Sequence, residues 1–244
     1  MDVKVIPSLD GIRAIAVLLV VMSHAGLGHL IPGGFGVTTF FFLSGYLITT
    51  LLMHEYEKNL TINFKYFFIR RFFRLFPPLL ITIIISAVLV NFGVLGGGVS
   101  FEGLFFQIFY LANYHSIFNW PGDIPFGTGV FWSLSVEEHF YLIFPFIFYF
   151  IFKSHNTKHV VIMLLSICLI LLIWRYVLVY YFDVEQNRTY YATDTRIDSI
   201  LFGCILAIGY NPIFHKNNSK MNVMSYFVLF LSISGILVTF LYRD

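Results

Sequence analysis

Charge is what this sequence has least of. Asp, Glu, Lys and Arg make up 11% of its 244 residues, less than half of the roughly 25% typical of a soluble domain. A water-soluble globule is thereby excluded. The net charge is only +2 and the cations form no clustered, solvated face, so nucleic acid is excluded as a partner. Cysteine is almost missing. Cys168 and Cys204 are too few for a disulfide framework, and each sits in an apolar run as a small hydrophobe without metal-ligand spacing. The chain also lacks a Pro/Ser linker, a charge block and an internal repeat, which points to one integral domain over residues 1–244. The opening "MDVKVIPSLDG" carries no basic n-region and no small-residue cleavage site follows, so it leads into a retained span.

Apolar residues fill the space that charge leaves. They are 58% of the chain, with 30 Phe and 15 Tyr, and the mean hydropathy is +0.81. Lipid is the solvent for much of such a surface. Disorder is excluded, because it needs low hydrophobicity and high net charge. Apolar runs of about 20 residues, enough to cross some 30 Å of hydrocarbon, predict seven spans near 10–30, 36–54, 77–95, 131–152, 159–181, 197–210 and 222–241. The expected fold class is an all-α polytopic membrane helical bundle. Segment 101–118, "FEGLFFQIFYLANYHSIF", is expected not to cross fully, as a re-entrant helix covered by protein or as an interfacial amphipathic helix. With a cytoplasmic N-terminus, Lys4, Lys58, Lys65, Arg70, Arg71, Arg74, Lys153, Lys158, Lys216 and Lys220 fall inside and only Arg188, Arg196 and Arg243 outside, as the positive-inside rule asks.

Ionisable groups inside spans need a reason, since an Arg at a helix centre costs about 2.5–3.5 kcal/mol. Arg13 and His24 both lie in the first span. Eleven residues at about 100° each complete three turns and roughly 20°, which puts both side chains on one face about 16 Å apart. That face presents a cation near the cytoplasmic entrance and an imidazole deep in the membrane. The plainer reading has Arg13 snorkelling to headgroups and His24 bonded to a neighbouring helix. In "FFLSGYLIT", Phe41 to Thr49, Ser44 and Gly45 read as small residues for close helix packing.

"FIRRFFRLFPP", Phe68 to Pro78, places Arg71 and Arg74 on one face of a helix that Pro77 and Pro78 begin or redirect. Planar guanidinium forks suit phosphate oxygens, although lipid headgroup anchoring explains the same pair. In "FWSLSVEEHFYLIFP", Phe131 to Pro145, Glu137 and Glu138 differ by about 100° in direction, so at least one points into the bundle or a wet cavity. "TDTRIDSILFG", Thr193 to Gly203, suggests a local ion pair of Asp194 and Asp198 with Arg196. Arg175 requires a carboxylate or carbonyl partner.

The order and spacing of these stretches, with "SLDGIRAIAVLLVVMSHA", "GGFGVTTFFFLSGYLIT" and "TRIDSILFG", resemble the acyltransferase-3 family of multi-pass membrane O-acyltransferases. The resemblance implies transfer of an acyl group, usually acetyl, from cytoplasmic acyl-CoA to a hydroxyl of a cell-envelope glycan or related acceptor. The expected setting is a bacterial inner membrane, with acyl-CoA as donor co-substrate and no bound cofactor or metal. His24 would be the catalytic base, Arg13 its functional partner, Arg71 and Arg74 neighbours of the CoA phosphates. Glu138, in the W-S-L-x-x-E-x-x-F-Y stretch, would line the cavity, with His139 standing where Gln is common. Family domains usually carry more spans, so the chain is expected to be shortened at its C-terminus. Two other classes fit intramembrane ionisable groups: a transporter, and an inactive or partner-dependent truncated membrane protein.

Overall fold

A chain in lipid must close its backbone hydrogen bonds within each segment, and helices do so. The computed structural model describes residues 7–154 and 156–211 together with Ser234, and the regular elements among them are helical. Helix α1 (Pro7–Met22) runs into a π-helical turn (Ser23–Leu27); α2 (Gly33–Asn59) and α3 (Phe64–Asn91) follow. Two short helices, α4 (Phe101–Ile108) and α5 (Ala112–Phe118), precede a 3₁₀ turn at Thr128–Phe131. Then come α6 (Trp132–Ser154), α7 (Thr157–Tyr180), the short α8 (Gln186–Tyr191) and α9 (Thr193–Gly209).

Five stretches are long and apolar enough to cross a membrane: Ser8–Leu27, Gly33–Asn59, Phe64–Asn91, Thr128–Lys153 and Thr157–Tyr180. They overlap the first five expected spans, the third of which begins well before its expected start at 77, and the chain is an integral membrane protein. The sixth expected span, 197–210, falls on α9, which has 17 residues, measures roughly 25 Å and is not among the five. The seventh, 222–241, lies outside the described residues save for Ser234. Segment 101–118 is two short helices broken at Tyr110, whose φ of 57° is left-handed. They measure roughly 12 and 10 Å, so neither crosses, and the buried Gln107 and Asn113 anchor them to the bundle.

One boundary differs from expectation. Pro77 and Pro78 do not begin a helix; they lie inside α3, which starts at Phe64. The helix begins earlier, where the Asn63 side chain accepts the Tyr66 N–H at 3.1 Å and supplies a helix cap. The prolines remove two donors without ending the helix, and the Pro78 carbonyl is used by the Thr82 hydroxyl at 2.8 Å.

The core gathers around α2. Its most extensive partner is α9, followed by α1, and the α2/α9 approach depends on missing side chains. A Cβ at Gly45 would run into the Ile200 carbonyl oxygen, and one at Gly203 into that of Phe42. The expected packing role of the Ser44–Gly45 pair thus holds for Gly45. Phe41, Ile48 and Leu52 of α2 join Val136 and Phe140 of α6 and Ile200 and Cys204 of α9 in one buried cluster. The seam is pinned by polar groups as well: Tyr46 Oη donates to Asn211 Oδ1 at 3.1 Å, and Asn211 Nδ2 donates to Thr50 Oγ1 at 2.9 Å. Outward faces such as Ile81, Ile84, Ile85 and Val88 on α3, and Leu169, Ile170, Leu172 and Ile173 on α7, are exposed. Contiguous apolar surface of that extent suits lipid and not water.

Candidate functional site

The face that carries Arg13 meets α2, α3 and α6 around a cavity of about 320 Å³ lined by Arg13, Ser44, Arg71, Arg74, Glu137 and Tyr141 among others. Glu137 organises it. Ser44 Oγ donates to Glu137 Oε1 at 2.8 Å, and Tyr141 Oη, one helical turn on, donates to Oε2 at 3.1 Å. The Arg71 guanidinium lies 4.7 Å from the centre of the Tyr141 ring, a cation–π contact that orients it. Arg13 faces Asp10 one turn earlier at 3.6 Å. A second cavity of about 250 Å³ adjoins, lined by Glu55, Arg70, Arg71 and Arg74, with Arg70 paired to Glu55 at 3.7 Å. Arginine therefore dominates this end of the bundle, and planar forks facing a cavity are suited to hold phosphate groups.

His24 stands at the other end of α1, in the π-helical turn, a local widening frequently found at functional sites. The turn owes its shape to Gly26, at φ of 95°, a conformation only glycine adopts cheaply. His24 Nδ1 lies 2.8 Å from the Val20 carbonyl. A carbonyl only accepts, so Nδ1 carries the proton, and in the neutral ring Nε2 keeps its lone pair. That is the tautomer a general base requires. His24 lines a cavity of about 750 Å³ together with residues of α5, the loop before α6 and α8.

Another cavity lies between the two ends. A third, mainly apolar cavity of about 330 Å³ shares Val17, Phe40 and Glu137 with the arginine cavity and Val130 with the His24 cavity. Arg13, Val17, Val20 and Val21 of α1 and His24 of the turn after it thus line a row of adjoining cavities, a lane along this segment. Among the described residues no group of three or more His, Cys, Asp and Glu is placed to hold a metal.

Glu138 stands apart from this lane. It lines none of these cavities, and its Oε1 is buried without a hydrogen bond. Burial pushes the nearby Tyr110 phenol up to about 12, with the Glu138 charge adding to the rise. Glu137 is the carboxylate that the sequence reading passed over. The signal was present, because counting W-S-L-x-x-E from Trp132 ends on Glu137.

The expected local ion pair at the start of α9 is replaced by longer links. Asp194 accepts from Arg188 at 2.6 and 2.9 Å and from Trp174 Nε1 at 2.7 Å. Asp198 pairs with Arg175 at 2.5 Å, and Arg175 also donates to the Thr195 carbonyl at 2.7 Å, which supplies the partners it required. Arg196 instead reaches α2, donating to Thr38 Oγ1 at 2.9 Å and lying over the Phe41 and Tyr190 rings. Successive residues on α9 point about 100° apart, so Arg196 cannot face the same neighbours as both aspartates.

No solved structure matches the chain. Among curated proteins, the peptidoglycan O-acetyltransferase OatA of Listeria monocytogenes is 33% identical over 264 residues, covering 98% of this chain and 41% of its own length. The O-acetyltransferase OatA of Staphylococcus aureus is 33% identical over 245 residues, covering 97% of this chain and 40% of its own. The chain thus spans about 40% of the length of these relatives. The family described as an acyltransferase domain matches residues 6–243. With the motifs in order and the match running nearly end to end, this chain belongs to the acyltransferase-3 family.

Proposed function

We propose that the chain is a membrane O-acetyltransferase that takes an acetyl group from acyl-CoA and delivers it to a hydroxyl of a peptidoglycan-type envelope glycan. The observation that carries this reading is the lane itself, arginines at one end and, at the other, an imidazole whose Nδ1 is engaged by the Val20 carbonyl. The two relatives are O-acetyltransferases, one of them of peptidoglycan. Residues 1–244 act as one domain, with the N-terminus cytoplasmic so that Arg71 and Arg74 face the compartment that holds acyl-CoA. These two side chains would hold the donor phosphates as charge-assisted pairs, and Arg13 would steady the donor at the mouth of the lane.

The apolar middle of the lane suits the acyl arm of the donor and keeps water from the thioester. At the far end His24 Nε2 removes the proton of the acceptor hydroxyl as its oxygen attacks the thioester carbonyl. The carbon–sulfur bond breaks and CoA leaves as the thiolate, later protonated. A positioned base typically contributes about 10²–10⁴-fold. Membranes carrying the 244-residue chain and labelled acetyl-CoA should label envelope glycan. His24→Ala at equal abundance should lose that label by about 10²-fold or more. Undiminished labelling by the variant would overturn the role of His24, and uptake of label without transfer would favour a transporter.

A further inference from the structure

The His24 cavity differs from the others in what lines it. Among the described residues none of its walls is Asp, Glu, Lys or Arg, although the arginine cavity lies at the other end of the same helix. A phosphate or carboxylate ligand would find no fixed opposite charge there. What the walls offer is aromatic surface and neutral hydrogen-bonding groups: Trp120 and Trp132 beside Ser116, Asn119 and Asn187. Amides and hydroxyls both donate and accept, matching hydroxyl-rich ligands, and indole faces match the apolar side of a sugar ring.

The wall is also built in advance. Trp120 packs against Phe106 and Phe118, with ring centres 4.9 and 5.6 Å away. The loop that carries it is tied down from several sides. His115 Nε2 donates to the Gly122 carbonyl at 3.0 Å, the Ser100 N–H to that of Asp123 at 3.0 Å, and Ser86 of α3 to that of Phe126 at 2.6 Å. Buried Gln107 donates to Thr128 Oγ1, which itself donates to the Pro125 carbonyl at 2.6 Å. Gly103 and Gly122 permit this contact, since a Cβ at Gly103 would strike the Asp123 carbonyl oxygen. A volume of about 750 Å³ falls within the range of small-molecule sites.

We infer that this cavity is the acceptor subsite and takes an uncharged pyranose unit, with Trp120 as its stacking platform and Asn119 and Asn187 as the side chains that select its substituents. The inference rests on the acetyl-transfer reading only for what happens to the sugar, and binding is measured without turnover. Detergent-purified full-length chain is dialysed to equilibrium against radiolabelled tri-N-acetylchitotriose. Saturable binding is expected, weakened about tenfold or more by Trp120→Ala, as for a central aromatic anchor. Trp120→Phe should stay within about threefold of the original, since a smaller ring still stacks. Should Trp120→Ala not elute as the same monodisperse species, Asn187→Ala, an exposed rim position, must weaken binding in its place.

Absence of saturable binding by the unaltered chain, or binding by Trp120→Ala equal to it, would overturn the subsite. Failure of the acetyl-transfer reading looks different. Sugar would still bind, but envelope label would not depend on His24.

Discussion

Helices α1 and α2 lie against each other and are built to opposite rules. In α2, 50% of the most apolar window is buried inside the protein, against 6% in α1. On α1 the buried apolar side chain is Ala16, and it meets α2 where a Cβ on Gly36 would come within 2.6 Å of the Ala16 carbonyl. α2 holds the bundle together through its glycine-lined seam with α9. α1 contributes little to the core and carries Arg13 along the lane to His24 in the turn that follows it. A helix that presents polar groups to a cavity has to leave that face unpacked, so scaffold and chemistry fall on different helices.

The largest effect should come from the seam. Gly203→Leu would drive a side chain into the Phe42 carbonyl and the Tyr46 amide, and overpacking of a tight core costs about 1–3 kcal/mol or more. With backbone as the obstacle the upper end is expected, and so is loss of the monodisperse peak on size-exclusion chromatography in detergent. A similar loss from a leucine at Gly11 of α1, where an added Cβ meets nothing within 4 Å, would break the comparison.

The next effect separates two adjacent carboxylates. Glu137→Gln removes the acid that faces Arg71, Arg74 and the lane, while one of the Ser44 and Tyr141 hydroxyls can still donate to the amide oxygen and the other can turn to accept from the amide NH2. Transfer activity should drop about tenfold or more, as expected when a positioned ionic group is lost, with the purified protein unchanged in melting temperature. Glu138→Gln, off the lane, should cost activity less. The reverse order, with Glu138 dominant, would place the working carboxylate on the Tyr110 side and remove Glu137 from the site.

Much of this was legible beforehand, for reasons that differ by residue. The long spans were readable because lipid imposes a length and an apolar composition together. Arg13 and His24 stood out because ionisable groups in an apolar run are costly and their spacing is close to three helical turns. The π-helical turn at Ser23–Leu27 was not, since it arises where Gly26 lets the backbone leave helical geometry, and nothing in apolar periodicity reports that. The course of α3 through Pro77 and Pro78 was hidden too, because tertiary context can carry a helix past residues that would end it in isolation. Arg175 was expected to need a partner, yet the partners of Arg188, Arg175 and Arg196 are set by how α2, α7, α8 and α9 pack. Sequence spacing within one helix cannot supply that.

The smallest effect tests the joint between scaffold and lane. α8 contributes Asn187 and Tyr191 to the His24 cavity while its Arg188 is tied to Asp194 of α9. Burial pushes the Asp194 carboxyl up, but hydrogen bonds from Arg188 and Trp174 outweigh it and hold the group below the usual carboxylate range. A depressed folded pKa stabilises the protein above the unfolded value of about 3.9 and loses that contribution as pH falls through the folded one. Asp194→Asn should therefore lower thermal stability by about 1 kcal/mol or less near neutral pH, as for a partly exposed pair. The gap from the unaltered protein should begin to narrow below about pH 4 and close as pH falls past the lower folded value. Trp174 reports the same event directly, because its indole N–H donates to Asp194. Its emission should shift on acidification in the unaltered protein and stay level in Asp194→Asn. A stability gap that persists at low pH would mean the joint is held by packing of α8 and not by charge. The His24 wall would then belong to the scaffold after all.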